Sequence, residues 1–400
     1  MKTLVRCAAI AALCAAASQG VWAQKKYDVG ASDTEIKIGQ TNPYSGPASV
    51  YSSQGKVMAA YFKMLNEKGG INGRKVTWLS LDDGYSPPKT LEQVRKLVEQ
   101  EEVLALMSCL GTPTNSAVQK YLNDKKIPHL LVSSGAARWN DPKQFPWSTP
   151  GYPAYVDEAA IYAKHAVQNY PTAKIGLLFQ NDDSGRDYAA AFKKALGARA
   201  GQVVKELSFE VSDPNVDSQI IELKGAGVEV LFTNGIPKPM AQAIRKIAEI
   251  GWKPVQYLSA TSNALSTLER AGYENSKGVI TAQFMKSAGD PTWENDADMK
   301  AYLQFMKERA PELSPADSSA VQAYYMAHMA EHILRQAGDQ LTRENVLKQA
   351  TSLQDMRFPM LLPGVTVTVK PDDRTTFNTF RLSRFDGQRW MLFGEPIKVK

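Results

Sequence analysis

The sequence predicts an α/β protein built from two similar lobes, each with a mostly parallel sheet, and a ligand cleft between them. Apolar runs of strand length alternate with amphipathic runs of helix length from EIKIGQT (35–41) onward. Such alternation is typical of parallel sheets covered by helices on both faces. The rhythm starts again after TPGYP (149–153), in a chain whose 400 residues suffice for two domains. The restart therefore predicts a second lobe like the first.

The first predicted lobe alternates strands with helices. The predicted strands are 35–41, 75–83, 103–107 and 129–134, and the predicted helices are 55–70, 91–102 and 117–126. Glycines end the first of these helices. Ser86 and Pro87-Pro88 open the second helix, because proline is tolerated in a first turn, where its missing N–H is not needed.

The second predicted lobe repeats this order, and the last part of the chain differs. The predicted strands are 173–181, 202–210, 228–235, 254–260 and 278–286, and the predicted helices are 157–169, 186–199, 216–227, 241–251, 318–338 and 342–352. Residues 376–395 alternate around Asp386-Gly387. Aspartate followed by glycine between two alternating runs predicts a β-hairpin.

The N-terminus predicts export. Residues 1–23 combine Lys2 and Arg6, an apolar stretch too short to span a bilayer, and small residues before a cleavage point after Ala23. This pattern is typical of a secretory signal peptide. A lipoprotein signal around Cys14 is disfavoured, because Leu13 stands where that signal needs a small residue. Cleavage would leave Cys109 as the single cysteine, so we expect no internal disulfide and a periplasmic location.

Composition excludes several classes of function. The formal net charge is only +6, and no basic stripe with interleaved aromatic residues is present, which argues against nucleic acid as a partner. No later run reaches the roughly 18 apolar residues of a membrane helix, so we expect a chain that is not embedded in a membrane. The chain contains no G-x-S-x-G turn, no P-loop and no G-x-G-x-x-G motif. We expect no catalytic activity, no cofactor, no metal and a monomer.

The turns after the strands hold the candidate site, because ligands of open α/β sheets bind outside the carboxyl ends of the strands. In SCLGTPTNS (108–116), Gly111 lets another group approach the backbone closely. Thr112 is placed to cap a helix, and Pro113 takes the first helical position. The amides of that helix end, with the hydroxyls of Thr112 and Thr114, would suit a carboxylate. The simpler alternative is that Thr112 only caps its helix.

Other turns add similar groups. SSGAARW (133–139) supplies Ser133, Ser134 and Gly135 at an equivalent place, and QNDDSGRDY (180–188) supplies Ser184 and Gly185. Tyr51 and Tyr152 are aromatic, and aromatic residues line most small-molecule sites but also pack in most cores. The sequence leaves both roles open for these two tyrosines. These turns indicate a small-molecule site between the lobes.

Several motifs together resemble a known family. They are the signal peptide, PYSGPASVY (43–51), GGINGRKV (69–76), LDDGYSPPKT (81–90) and the restart of the α/β rhythm. The chain resembles the substrate-binding proteins of ABC importers, of the Leu/Ile/Val-binding type. This resemblance implies the type I periplasmic binding protein fold, three crossings between the lobes, a ligand held by closure, and docking onto a membrane permease. It places lobe I at 34–150 plus 281–352 and lobe II at 151–280 plus 353–400.

The resemblance also implies a set of site residues. In amino-acid-binding members, first-lobe hydroxyls and amides hold the carboxylate, and the second lobe supplies a tyrosine and a glutamate near the ligand. The corresponding first-lobe positions are Tyr51, Thr112, Thr114, Ser134 and Ala136, with Gly111, Gly135 and Tyr152 beside them; the second-lobe positions are Ser184, Gly235, Ile236 and Thr261.

The residue at the position of the expected glutamate is not acidic, and neither 233–240 nor 257–264 contains an aspartate or a glutamate. Because a buried ammonium without a charged partner is costly, we expect a carboxylate without an amine and with an apolar or aromatic body, such as a benzoate or cinnamate derivative. Asp182 or Asp183 could serve as the ammonium partner if their loop folds inward. In that case the ligand would be a branched-chain or other hydrophobic amino acid.

Two further alternatives remain open from the sequence. HMAEH (328–332) formally matches an H-x-x-E-H zinc pattern, so a zinc-dependent periplasmic enzyme using His328 and His332 is one of them. The same residues also fit an ordinary amphipathic helix. The other alternative is a sensor subunit that binds the same class of ligand but signals through a partner.

Overall fold

A computed structural model describes residues 25–399. The expected signal peptide, 1–23, lies outside the described residues. The first part of the chain forms β1 (Lys26–Tyr27), β2 (Glu35–Asn42), α1 (Ser52–Glu67), β3 (Lys75–Asp82), α2 (Pro87–Glu99), β4 (Ala105–Met107), α3 (Thr112–Asp124), β5 (His129–Val132) and β6 (Ser148–Pro150). β6 was not predicted from the sequence.

The middle of the chain continues the alternation. Its elements are α4 (Tyr155–Asn169), β7 (Ile175–Gln180), α5 (Asp183–Leu196), β8 (Val203–Phe209), α6 (Asp217–Gly225), β9 (Val230–Asn234), α7 (Pro237–Glu249), β10 (Val255–Leu258), α8 (Leu265–Ala271), α9 (Tyr273–Ser276) and β11 (Ile280–Gln283).

The last part of the described chain is more varied. It forms α10 (Ala297–Arg309), α11 (Ser318–Ala337), β12 (Gln340–Leu341), α12 (Arg343–Ala350), β13 (Leu353–Met356), β14 (Val367–Val369), β15 (Thr379–Phe385) and β16 (Trp390–Lys398). No helix within 25–399 is both long enough and apolar enough to span a bilayer.

Two larger sheets define the two lobes and confirm the predicted fold class. The first lobe has five parallel strands in the order β3-β2-β4-β5-β6. The second has seven strands in the order β16-β15-β11-β10-β9-β7-β8, of which β15 and β16 are antiparallel additions at one edge. β4, β5 and β9 are buried along their whole length, as expected for strands covered by helices on both faces.

The C-terminal hairpin forms as predicted. Phe385 pairs with Trp390, and the Asp386 carboxylate accepts hydrogen bonds from the backbone N–H groups of Gln388 and Arg389, at 2.8 and 2.9 Å. The side chain of the aspartate therefore closes the turn itself, which is why this residue type favours such positions.

One expected lobe boundary in the second half of the chain needs correction. β11 pairs with β10 and β15 in the seven-stranded sheet, so the boundary expected at 281 falls inside a second-lobe strand. Pairing between distant strands decides this position, and local periodicity does not report it. The boundary expected at 353, where β13 begins, stays a prediction.

Candidate ligand-binding site

A cavity lies between the two lobes at the carboxyl ends of their strands. It has an empty volume of about 620 Å³, part of which is open to solvent. The first lobe contributes the turns after β3 and β4, and the second lobe contributes the turns after β7, β9 and β10. The cavity therefore lies where parallel α/β sheets place their ligands.

The turn after β4 forms one wall of the cavity. Gly111 has a φ of +105°. A Cβ atom on this residue would stand 2.5 Å from Thr114 Oγ1 and 2.7 Å from the Tyr85 ring. Glycine is therefore required both by the backbone conformation, which side chains disfavour, and by the lack of space.

Thr112 does not cap its helix as the sequence predicted. Gly111 occupies the cap position without a side-chain hydrogen bond, and Thr112 is the first residue of α3. The Thr112 hydroxyl lies 2.7 Å from Ser134 Oγ, which also accepts a hydrogen bond from Trp139 Nε1 at 2.8 Å. Ser134 thus stands behind Thr112 and positions its hydroxyl at the cavity wall.

Six helices begin at the cavity. The lining residues at their N-termini are Tyr51 next to α1, Thr112 of α3, Tyr155 of α4, Ser184 of α5, Ile236 next to α7, and Ser318 and Ser319 of α11. The N-terminus of a helix carries a partial positive charge, which favours an anion. Asp182 and Asp317 cap α5 and α11, and α4 has two acidic residues in its first turn. The N-termini of α1, α3 and α7 have neither a side-chain cap nor an acidic residue in the first turn, so they are the less neutralised ones.

Four tyrosines supply the aromatic part of the wall, namely Tyr51, Tyr85, Tyr152 and Tyr155. The Tyr51 hydroxyl donates to the carbonyl oxygen of Thr261 in the other lobe, at 2.8 Å. Burial raises the pKa of all four phenols, so each stays protonated near neutral pH. The wall thus offers flat apolar faces and neutral hydroxyl groups.

The described side chains that line this cavity include no aspartate, glutamate, lysine or arginine. Asp183, the alternative ammonium partner, points elsewhere: its carboxylate accepts from Arg138 Nη1 at 2.7 Å and from Arg186 Nη2 at 2.8 Å. Asp182 accepts from the Gly185 N–H at 3.0 Å and from Gln180 Nε2 at 2.6 Å. Both carboxylates are therefore held by the protein itself.

The structure brings together most of the residues that the sequence singled out. Those in the cavity wall are Tyr51, Gly111, Thr112, Ser133, Tyr152, Ser184, Gly235, Ile236 and Thr261. Thr114, Ser134, Gly135, Ala136 and Asp183 do not line it. The Thr114 hydroxyl donates to the Leu110 carbonyl oxygen at 2.6 Å inside the first turn of α3. Gly135 and Ala136 face another cavity, beside Arg374.

Sequence reasoning missed nine lining residues. They are Tyr85, Leu110, Tyr155, Gln180, Ala260, Met285, Ser318, Ser319 and Gln322. Tyr85 had a local signal, because it lies in the turn after β3, and Ser318 begins a long helix after the capping residue Asp317. Gln322 had none: its amide reaches Ser133 Oγ at 2.6 Å across 189 positions of sequence.

The two histidines of HMAEH pack as ordinary helix residues. His328 lies against the rings of Tyr61 and Tyr324, and burial lowers its pKa to about 4. His332 packs edge-on to Phe358. Within residues 25–399, no three histidine, cysteine, aspartate or glutamate side chains cluster to hold a metal. Burial also raises the pKa of Cys109 to about 11, which keeps the thiol protonated.

Residues 35–389 match the periplasmic binding protein family, so the chain belongs to that family. Among characterised relatives it resembles Leu/Ile/Val-binding protein homolog 1 of Brucella abortus, with 25% identity over 282 residues that cover 67% of this chain and 75% of that protein. The family consists of binding proteins, in agreement with the expectation that this chain is not an enzyme.

Solved structures show the same fold. A branched-chain amino acid ABC transporter protein from Thermus thermophilus, solved with bound valine, superposes with a TM-score of 0.83 at 16% identity, covering 92% of this chain and 97% of that one. A fatty acid ABC transporter substrate-binding protein from Thermomonospora curvata superposes with a TM-score of 0.76 at 20% identity, covering 94% and 95%.

Proposed function

We propose that this protein is the periplasmic substrate-binding component of an ABC importer and that it binds a small carboxylate with an apolar or aromatic body. The lobes close over the ligand, and the closed form delivers it to the permease. The observation that carries the proposal is the electrostatic character of the cavity: six helix N-termini meet there, and no charged side chain of residues 25–399 lines it.

The carboxylate would bind at the first-lobe turn. Thr112 lines the cavity at the start of α3, and Ile236 lines it at the N-terminus of α7, which adds a second positive end. Hydrogen bonds to an ionised acceptor are stronger than neutral ones. The tyrosines would enclose the rest of the ligand, with Tyr51 linking the lobes across it.

An α-ammonium group has no matching partner in this wall. The nearest candidates from the sequence, Asp182 and Asp183, are each held by other groups. An ammonium placed among helix N-termini would also be repelled by their partial positive charge. The cavity therefore favours acids such as benzoate and cinnamate derivatives over amino acids.

A branched-chain or other hydrophobic amino acid is the second candidate ligand. The Brucella relative is a Leu/Ile/Val-binding protein homolog, and the Thermus structure contains valine, and both support this candidate. The fatty acid ABC transporter protein of the same fold supports the first candidate, since a fatty acid is a carboxylate without an amine. The cavity chemistry of this chain decides our preference.

A thermal-shift screen tests the proposal. The exported protein is unfolded and refolded to remove any carried ligand, then mixed with leucine, isoleucine and valine in one set and with benzoate, para-hydroxybenzoate, phenylacetate and coumarate in another. A ligand at a hundred times its dissociation constant should add about 2.7 kcal/mol to the free energy of unfolding. We expect shifts with the aromatic acids alone. Shifts with the branched amino acids alone would overturn the proposed ligand class.

A further inference from the structure

A second cavity adjoins the proposed ligand cavity. Its empty volume is about 480 Å³, and it shares Ala260, Met285 and Ser318 with the first cavity as common wall residues. Neither Gly111 nor Thr112 lines it. The junction between the two cavities therefore lies away from the turn where we place the carboxylate.

Met285 has the largest and most flexible side chain of the three residues that line both cavities. Its backbone is fixed by a bridge to Leu361, and the next residue donates its N–H to the Met360 carbonyl oxygen at 2.7 Å. The side chains on either side, Phe284 and Lys286, are buried, whereas Met285 is only partly buried. A methionine side chain is unbranched and turns about three bonds. The Met285 side chain can therefore move without a change in the backbone.

The second cavity has apolar walls and a few neutral polar groups. Phe284, Val321 and Trp390 give it apolar surface, and the amide side chains of Asn263 and Gln283 also line it. Asn263 and Gln283 are both buried. Gln283 Oε1 already accepts from Ser287 Oγ at 3.2 Å, and Asn263 Nδ2 donates to Thr281 Oγ1 at 3.5 Å. The Gln283 amide N–H group and the Asn263 side-chain oxygen are therefore the atoms that a ligand in this cavity would engage.

Lys286 also lines this cavity, but its charge is already neutralised. Its ammonium group donates to Asp296 at 2.6 Å and to Asp298 at 2.8 Å, and it lies 5.6 Å from the centre of the Trp293 ring. Two carboxylates face one ammonium, so the cluster carries an excess negative charge. A second anionic group on the ligand would be repelled here, whereas a neutral hydroxyl or ether group would be accepted.

We propose that the second cavity is a subsite for the distal part of an elongated acid. The carboxylate lies at Thr112, the ring lies among the tyrosines, and a substituent opposite the carboxylate passes Met285 and ends in a neutral polar group near Asn263 and Gln283. This inference rests on the proposed function, because it assigns the ligand of the same site a length and a distal chemistry.

Titration calorimetry of the refolded wild-type protein tests the length and the charge of the ligand. The probes are benzoate, para-butoxybenzoate, para-(hydroxybutoxy)benzoate and para-(carboxypropoxy)benzoate. Because the added carbons leave water, we expect both neutral long acids to bind at least about tenfold more tightly than benzoate. We expect the dianionic probe to bind at least about tenfold more weakly than the hydroxylated one.

A cavity-filling variant tests the location. Ala288 lines the second cavity but not the first. Ala288→Leu should remove the advantage of the long acids and leave benzoate binding within about twofold. Ala198→Leu, at an exposed position, is the matched control and should keep the wild-type order. The wild-type series remains decisive if Ala288→Leu fails to fold.

The outcomes separate the two proposals. If none of the four acids binds, the proposed function fails and this inference fails with it. If benzoate binds and the long acids bind no more tightly, only the second subsite is overturned. The same conclusion follows if Ala288→Leu folds and keeps the preference for long acids.

Discussion

At the scale of single residues, the candidate site consists of polar groups held in place by a second layer of hydrogen bonds. Thr112 presents its hydroxyl because Ser134 binds it from behind, and Ser134 is in turn bound by the Trp139 indole. Ser133 accepts from Gln322 at 2.6 Å and donates to Gln54 at 3.1 Å. The lining hydroxyls of Thr112 and Ser133 are therefore held in place before a ligand arrives, which reduces the entropy lost on binding.

Replacement of Thr112 tests the carboxylate position. A hydrogen bond to a charged group contributes about 1.5–3 kcal/mol, so Thr112→Ala should weaken binding of an aromatic acid about 10- to 100-fold. Thr112→Ser keeps the hydroxyl and is the control. Calorimetry measures both. Normal affinity in Thr112→Ala, with an unchanged melting temperature, would place the carboxylate elsewhere.

Replacement of Tyr51 tests the link between the lobes. Tyr51→Phe removes the hydrogen bond to the Thr261 carbonyl oxygen and keeps the ring. A neutral hydrogen bond contributes about 0.5–1.5 kcal/mol, so the dissociation constant should rise about 2- to 10-fold. Tyr44→Phe is the control, because the Tyr44 hydroxyl bonds Ser80 within the first lobe, at 2.6 Å. Equal affinities in the two variants would mean that Tyr51 does not stabilise the closed form.

At the scale of elements, the start of α5 docks onto the first lobe. Asp183 pairs with Arg138, and Asp187 accepts a hydrogen bond from the Ala137 N–H at 2.7 Å. Arg138 is further oriented by Gln119, whose Oε1 accepts from its Nε at 2.8 Å. The helix thus contributes twice: Ser184 faces the cavity, and the acidic residues around it hold the lobes together.

The variant Asp183→Asn distinguishes two roles for Asp183: a contact between the lobes, and a partner for an ammonium group on the ligand. Both charged groups of the Arg138 pair are about one-third exposed, so solvent screens the pair and its contribution is about 0.2–1 kcal/mol. Affinity should fall about 1.5- to 5-fold for every ligand. Arg186→Gln is the control, since it removes only contacts within the second lobe, namely the pair with Asp183 and the hydrogen bond to Asn181, and leaves the Arg138 pair intact. A loss confined to amino acids would identify Asp183 as the ammonium partner.

At the scale of the whole molecule, the second lobe has a buried polar centre next to the cleft. In the second lobe, Glu158 of α4 accepts hydrogen bonds from Tyr162 and Tyr188, at 2.5 Å each, and from the Ala260 N–H at 2.7 Å. Ala260 is a wall residue of the cavity. One buried carboxylate therefore joins α4, α5 and the turn after β10, and burial raises its pKa to about 7.

The raised pKa of Glu158 predicts a pH effect on stability. The folded protein holds this proton more tightly than the unfolded chain, whose pKa is about 4.5. The contribution of Glu158 to the free energy of unfolding therefore falls as the pH rises from about 4.5 to about 7, and it is constant above that range. Compared with Glu158→Gln, the wild type should lose about 2–3 kcal/mol between pH 5 and pH 8.

Urea unfolding of both proteins at the two pH values measures this difference. Asp83, whose pKa burial raises to about 6, and His129, whose pKa burial lowers to about 3, are present in both proteins and cancel. Glutamine preserves the shape, and its amide can donate to Tyr188. A difference that does not change with pH would contradict the raised pKa.

The alternation of strands and helices alone determined the fold class, because burial on both faces of a parallel sheet requires apolar runs of strand length between amphipathic helices. Turn chemistry also located the first-lobe wall: Gly111 is needed where the backbone has positive φ and no space for a side chain. These are local requirements, and a single sequence displays them directly.

Only the tertiary structure decided which residues meet in the cleft. Tyr51 contacts Thr261 across 210 positions and Gln322 contacts Ser133 across 189, and no local pattern encodes such pairs. It also decided that Asp183 faces Arg138 and that β11 belongs to the second sheet. The physical reason is that these contacts depend on how whole lobes pack, since that packing places groups from distant segments within hydrogen-bonding distance.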